Sequence, residues 1–292
     1  MVIKNDFSTN IFEVAFPPIE APQDFIDVFQ KVNDSLTSVF EDQNLDVLPG
    51  SVGDFTAEEM VLRPAPTEAY RQRLDLDLNR IDNGQPLFDT HFYGNICSTQ
   101  VSLSISREQW RPIAARLYDY EYLIPLLFSS PADLNGIRRH CLRHFMYEHN
   151  WQDDPYMGFP ANLAGLVEAV ELDPEPRTLK FAYCVSRSPE RVEFRSCDCL
   201  DSVEAILEMV FLRLASYLGS LKAVTEPTKD TFPGFDARDV FTEVCRSGMP
   251  PSVDSPLPDF DNALRTFGEQ WTESCTRLKQ RLSSFVNVGS NE

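Results

Sequence analysis

Arg191-Val192-Glu193-Phe194-Arg195-Ser196-Cys197-Asp198, followed by Ser202 and an apolar run to about Val224, decides the fold. In an extended chain successive side chains alternate, so Val192 and Phe194 share one face while Glu193 and Arg195 share the other. Ser202 is the residue type that caps a helix start, because its hydroxyl can accept an orphan backbone N–H. The run behind it is apolar almost all round, which predicts a buried helix. A strand with one polar face, leading into a buried helix, describes a sheet covered on one side and open on the other.

The neighbouring sequence agrees. Thr178 to Val185 reads as a strand that pairs with Arg191–Cys197 across Ser186-Arg187-Ser188-Pro189-Glu190, an antiparallel hairpin. Thr99 to Ile105 alternates, with Val101, Leu103 and Ile105 on one face and Gln100, Ser102 and Ser104 on the other. Ile11 to Phe16 alternates too, with Phe12, Val14 and Phe16 opposite Glu13, and Pro17-Pro18 stops it. Helices are predicted from Pro22 to near Asn44, from Arg107 to Phe128 up to the break at Ser129-Ser130-Pro131, and over the C-terminal stretch. That last helix carries Leu264, Phe267, Trp271, Cys275, Leu278, Leu282 and Phe285 at packing intervals. Residues 51–90 read as short helices and loops, 131–160 as a loop with a short helix, and 225–258 as a breaker-rich connection. The fold class is α+β. The organisation is a sheet-and-helix domain over 1–225, with a helical segment, 226–292, packing on it.

Composition narrows the function. The 292 residues are 42% hydrophobic, enough for a sizeable core. Acids outnumber bases 45 to 26, a formal net charge of −19. Such a surface repels phosphate backbones, so no nucleic-acid partner is expected. No stretch reaches the roughly 18 apolar residues a membrane helix needs, so no membrane partner is expected either. The N-terminus has no apolar run behind Lys4, and so does not read as a signal peptide. The seven scattered cysteines then read as reduced thiols of a cytoplasmic protein. Cys197-x-Cys199 lacks the second pair of a zinc site, and reads instead as two small residues on one strand face. His140 and His144 stand four apart without the Glu of a zinc-hydrolase helix.

The open face gathers Glu13, Gln100, Ser102, Glu193 and Arg195. Such residues occur on any wet sheet, but carboxylates beside arginine suit a hard cation and a phosphate together. The strand Glu193-Phe194-Arg195-Ser196-Cys197-Asp198 resembles the Glu-x-Arg-x-x-Asp strand of glutamate–cysteine ligases and related carboxylate–amine ligases. Further segments fall in that family's order: Asp6-Phe7-Ser8 with Glu13, Ser98-Thr99-Gln100-Val101-Ser102, Ser129-Ser130-Pro131, and Arg143 twelve residues beyond Pro131. The resemblance spans about residues 3 to 220.

It implies a curved, mostly antiparallel sheet with helices on one face and an open active-site face, similar to glutamine synthetase. It implies a reaction in which ATP phosphorylates a carboxylate, usually the γ-carboxyl of glutamate, and an amine such as cysteine displaces phosphate, as in glutathione biosynthesis. Asp6, Glu13 and Glu193 would hold Mg²⁺. Gln100 and Ser102 would face the cofactor. Arg195 and Arg143 would hold the transferring phosphoryl group or the substrate carboxylate, and Ser129 and Ser130 would lie by the glutamate pocket. The partners would be small amino-acid substrates; the oligomeric state is open. Two departures stand beside this. The family opens with a Gly-x-Glu-x-Glu strand that adds metal carboxylates, whereas five residues precede Asp6 here. A start further upstream, a strand from another chain, or an inactive relative serving as a binding protein would each account for it. The loop Ala132-Asp133-Leu134-Asn135-Gly136 also lacks the family's aromatic and acidic residues, which leaves the substrate open.

Overall fold

The structure, a computed structural model, describes residues 2–5, 12–43, 97–106, 109–129, 132–134, 137–141, 184–188, 191–226, 232 and 234–286. The predicted features at Asp6, residues 51–90, Ser130, Arg143, residues 178–183 and the tail after 286 lie outside them. The chain divides into two compact units, Met1–Cys97 and Ser98–Glu292.

In the first unit β1 (Val2–Asn5) pairs antiparallel with β2 (Phe12–Ala15), with Lys4 opposite Glu13. The alternation around Phe12 predicts β2; β1 has no counterpart in the sequence reading, being too short for a periodic signal. Helix α1 (Pro22–Asp42) starts where expected, with Pro22 in its first turn, where the missing N–H costs nothing. Phe16 lies 5.0 Å from Phe25 and 6.1 Å from Phe29, so the end of the strand is fastened to the first two turns of the helix.

The second unit holds a three-stranded antiparallel sheet in the order β3 (Val101–Ser104), β7 (Arg191–Phe194), β6 (Cys184–Ser188). The faces fall as the alternation predicts: Val101, Val192 and Phe194 are buried, while Ser102, Ser104 and Arg191 are exposed. The hairpin β6–β7 runs with a register irregularity between Ser186 and Ser188. A second hairpin, β4 (Ala132–Leu134) with β5 (Ile137–Arg139), occupies the start of the stretch read as a loop with a short helix; residues 142–160 of that stretch lie outside the described residues. The sequence carries Asn-Gly between these strands, a strong short hairpin signal.

Arg107–Phe128 is not one helix. It comprises α2 (Trp110–Leu117), a 3₁₀ turn (Tyr118–Tyr120) and α3 (Leu123–Phe128). Pro125 explains the interruption: in a continuous helix its ring would clash with the carbonyl of Glu121, whereas in the first turn of α3 it is tolerated. The long helix α4 (Val203–Thr225) forms as expected, capped by Ser202, whose Oγ accepts from Ala205 N–H at 3.1 Å. It is buried on nearly every side; Phe211 stacks on Trp271 at 5.8 Å and on Phe260 at 6.4 Å. Burying such a ring contributes about 1.5–3 kcal/mol.

The connection after α4 contains an unforeseen helix, α5 (Ala237–Ser247), capped by Asp236 and ended by Gly248 at φ +68°. Its signals are Asp236, the spacing of Val240, Phe241, Val244 and Cys245, and the glycine. The C-terminal helix is also broken, into α6 (Phe260–Phe267), a 3₁₀ turn (Glu269–Trp271) and α7 (Thr272–Val286). Gly268, at φ +98° and ψ 161°, makes the corner; a side chain is strained there. Both α6 and α7 contact α4. Among the described residues no helix is long and apolar enough to cross a membrane.

His140 closes the end of α5. Its backbone N–H and that of Cys141 donate to the Cys245 carbonyl at 3.3 and 3.2 Å, and its ring Nε2 lies 2.9 Å from the Pro125 carbonyl. A neutral imidazole donating there matches the direction of its titration, since burial lowers its pKa below the usual 6.5. The unfolded chain therefore takes up a proton at a pH where the folded chain does not. This contribution is fully present above about 6.5 and is lost as pH falls toward the folded value. Two outcomes are expected. The Tm of the wild-type chain drops as pH is lowered below about 6.5, and His140→Gln, which keeps a donor for Pro125, shows a shallower drop across the same range. A Cβ at Gly248 would meet His140 Nδ1 at 2.5 Å with φ already positive, so Gly248→Ala should lose about 2 kcal/mol or more in urea unfolding.

Candidate functional site

The polar face of the second unit is built on β7, the central strand of its sheet. Glu193 stands opposite Ser102 on β3 and Val185 on β6. Residues directly opposite in an antiparallel pair share a face, so Glu193 and Ser102 are on the same side, away from Val192 and Phe194. Arg195 follows two residues on and returns to the Glu193 side: its Nε lies 3.8 Å from Glu193 Oε1. Their side chains are 21% and 13% exposed, accessible but largely shielded, where a charge pair acts more strongly than at a free surface. Gln100, exposed two residues before Ser102, donates from Nε2 to Ser98 Oγ at 3.2 Å.

This edge is held by two bonds. Thr99 N–H donates to the Asp198 carbonyl at 3.3 Å, and Leu200 N–H donates to Thr99 Oγ1 at 2.9 Å. The segment 98–100 is thereby tied to the segment that leaves β7, and Asp198 itself is buried.

Sequence reasoning missed what stands behind the strand. Glu121, in the turn between the 3₁₀ segment and α3, is fully buried, and so is Arg213 in the middle of α4. Arg213 makes a bidentate pair with Glu121, with NH1 2.5 Å from Oε2 and NH2 2.9 Å from Oε1. Ser196 Oγ donates to the same carboxylate, and Arg213 NH2 lies 3.3 Å from Ser196 Oγ. The guanidinium also lies 4.2 Å from the centroid of the Phe194 ring. An arginine within the apolar run Phe211-Leu212-Arg213-Leu214-Ala215 is the signal that could have revealed it, since a buried charge demands a buried partner.

The other predicted residues are placed as follows. Glu13 lies on β2 in the first unit. Ser129 is the extended residue after α3, and its buried Oγ has no hydrogen-bond partner among the described residues. Asp6, Ser130 and Arg143 are outside the described residues. Among those described, the face therefore brings together Gln100, Ser102, Glu193 and Arg195.

Chemically it offers a guanidinium fork for an anion and one carboxylate for a cation or a proton. It does not by itself make a Mg²⁺ site. Among the described residues no group of three or more His, Cys, Asp or Glu could hold a metal ion, and Mg²⁺ demands near-octahedral oxygen coordination. No step is derived through a metal. The Cys197-x-Cys199 segment is no strand face, since β7 ends at Phe194. Burial pushes the Cys197 and Cys245 thiols well above their ordinary range, leaving them protonated and poor metal ligands.

No family model matches the chain, and no curated protein matches it. Among solved structures it is similar, at 12% identity and a TM-score of 0.36, to the Pup ligase PafA of the prokaryotic ubiquitin-like modification pathway in complex with ADP. The match covers 77% of this chain and 53% of that one, so the chain spans about half the length of that structure.

The buried pair yields a stability prediction. Arg213→Met leaves the Glu121 carboxylate uncompensated in the core and should cost about 3–5 kcal/mol in urea unfolding. A loss below about 1 kcal/mol would mean that Glu121 is reached by water once its partner is removed.

Proposed function

We propose that the chain is an ATP-dependent carboxylate–amine ligase that activates the γ-carboxylate of glutamate, or a similar carboxylate, for attack by an amine such as cysteine. The observation that supports it is the Glu193–Arg195 pair on the polar face of β7, beside Ser102 and Gln100. It lies in the Glu-x-Arg-x-x-Asp segment by which the sequence resembles such ligases.

In this reading Arg195 binds an anionic oxygen of the phosphoryl group or of the carboxylate. Its fixed fork favours the planar or tetrahedral anion over a single point charge. The γ-phosphoryl group of ATP passes to the carboxylate; the amine then forms the amide bond and phosphate leaves. Because phosphoryl transfer needs positioning and charge stabilisation above all, an ordered guanidinium is the protein's main contribution. By the resemblance alone, Gln100 and Ser102 would face the nucleotide, Ser129, Ser130 and Arg143 would serve the carboxylate substrate, and Asp6, Glu13 and Glu193 would be the Mg²⁺ ligands. Small amino acids would be the substrates, and the cytoplasm, which keeps thiols reduced, the compartment.

The test is ADP release from the purified chain with ATP, Mg²⁺ and L-glutamate, with and without L-cysteine. Cysteine-dependent release is expected; no release from folded protein with any amino-acid amine would overturn the reading. Glu193→Gln should lower ADP formation at least 100-fold, on the order of the loss of one charge-stabilising group, with an unchanged Tm. Unchanged turnover in that variant removes Glu193 from the chemistry.

A further inference from the structure

Arg213 touches both residues that flank Arg195 in the sequence. Its guanidinium lies over the Phe194 ring at 4.2 Å, and its NH2 is 3.3 Å from Ser196 Oγ. Ser196 in turn donates to Glu121, which Arg213 holds with both nitrogens. All three polar side chains are buried, at 0–2% exposure. The strand therefore has a charged network directly behind it and the Glu193–Arg195 pair directly in front.

A buried ion pair is a poor way to gain stability: well-packed apolar residues of similar volume do as well or better. What the pair supplies that packing cannot is direction. An apolar contact tolerates rotation and sliding, whereas a bidentate fork with a third donor accepts one arrangement. Here that arrangement determines which way the chain leaves β7 at 194–196. Because faces alternate, a rotation or one-residue slip there would carry Arg195 from the polar face to the core.

We infer that Glu121, Arg213 and Ser196 are positioning residues: the buried pair orients the end of β7 so that Arg195 meets Glu193 on the outer face. The inference rests on that face being the functional site. Its geometric content, however, can be read without any activity.

The readout is the Arg195 Nε–H signal in a proton–nitrogen NMR spectrum of the full chain, assigned by its disappearance in Arg195→Lys. Two variants are compared with wild type. Glu121→Leu combined with Arg213→Met removes both charges together, so no lone buried charge opposes folding. Ser196→Ala keeps the ion pair and removes only the link to the strand. In both, the Arg195 Nε–H signal should move toward the position of a free arginine, and its exchange with water should speed at least tenfold, with the Tm within a few degrees of wild type. Where ADP release is measurable, kcat should fall more than KM changes.

An unchanged Arg195 signal and exchange rate in the folded variants would overturn the inference. Should the double variant not fold, Ser196→Ala decides alone. Should wild type release no ADP, the ligase reading fails while the Arg195 signal still reports on positioning.

Discussion

A carboxylate and a guanidinium buried together constrain the second unit more tightly than any apolar contact. Glu121 belongs to the turn between two short helices, Arg213 to the middle of α4, and Ser196 to the end of β7. Three separate stretches of chain converge on one carboxylate. Each charge is tolerable only because the other is present, so the three elements cannot shift independently. Phe194 takes part through its ring face, which places the apolar side of β7 against the same guanidinium.

Helix α4 is the common neighbour. A second buried acid on it, Glu208, accepts from Arg281 of α7 at 2.6 Å. Arg281 keeps its head partly in water while its charge neutralises the buried carboxylate, the usual compromise for a long side chain at the edge of a core. On the opposite side of β7 the chemistry is different in kind. Glu193 and Arg195 are only partly shielded, and the Arg195 Nε lies 3.8 Å from Glu193 Oε1. One strand thus carries a fully buried charge pair behind it and a partly shielded one on its outer face.

Several elements were legible because their signal is local. The alternation of Val192, Glu193, Phe194 and Arg195 assigns faces without reference to the rest of the molecule. Ser202 marks the start of α4 by its own hydroxyl. Other elements were misread where two local signals compete. Pro125 divides a helix that periodicity alone would continue, and Gly268 divides the last one. The hairpin of β4 and β5 was not read from the sequence, although Asn-Gly stands between the two strands. Helix α5 was overlooked between breakers, although Asp236 and Gly248 bracket it. Of the candidate site, the polar face of β7 was legible by alternation, which puts Glu193 opposite Ser102 and brings Arg195 back to the Glu193 side.

The sequence by itself determined which residues face water and which face the core on β3 and β7, where α1 and α4 begin, and the excess of negative charge. These follow from periodicity, capping and composition, which act over a few residues. Only the tertiary structure decided that Arg213 would find Glu121, 92 positions away, and that both would close on Ser196. Nothing in a single stretch of sequence states which buried charge will meet which. That choice is made when the helices and the sheet pack, because an unpaired charge in the core is too costly to survive.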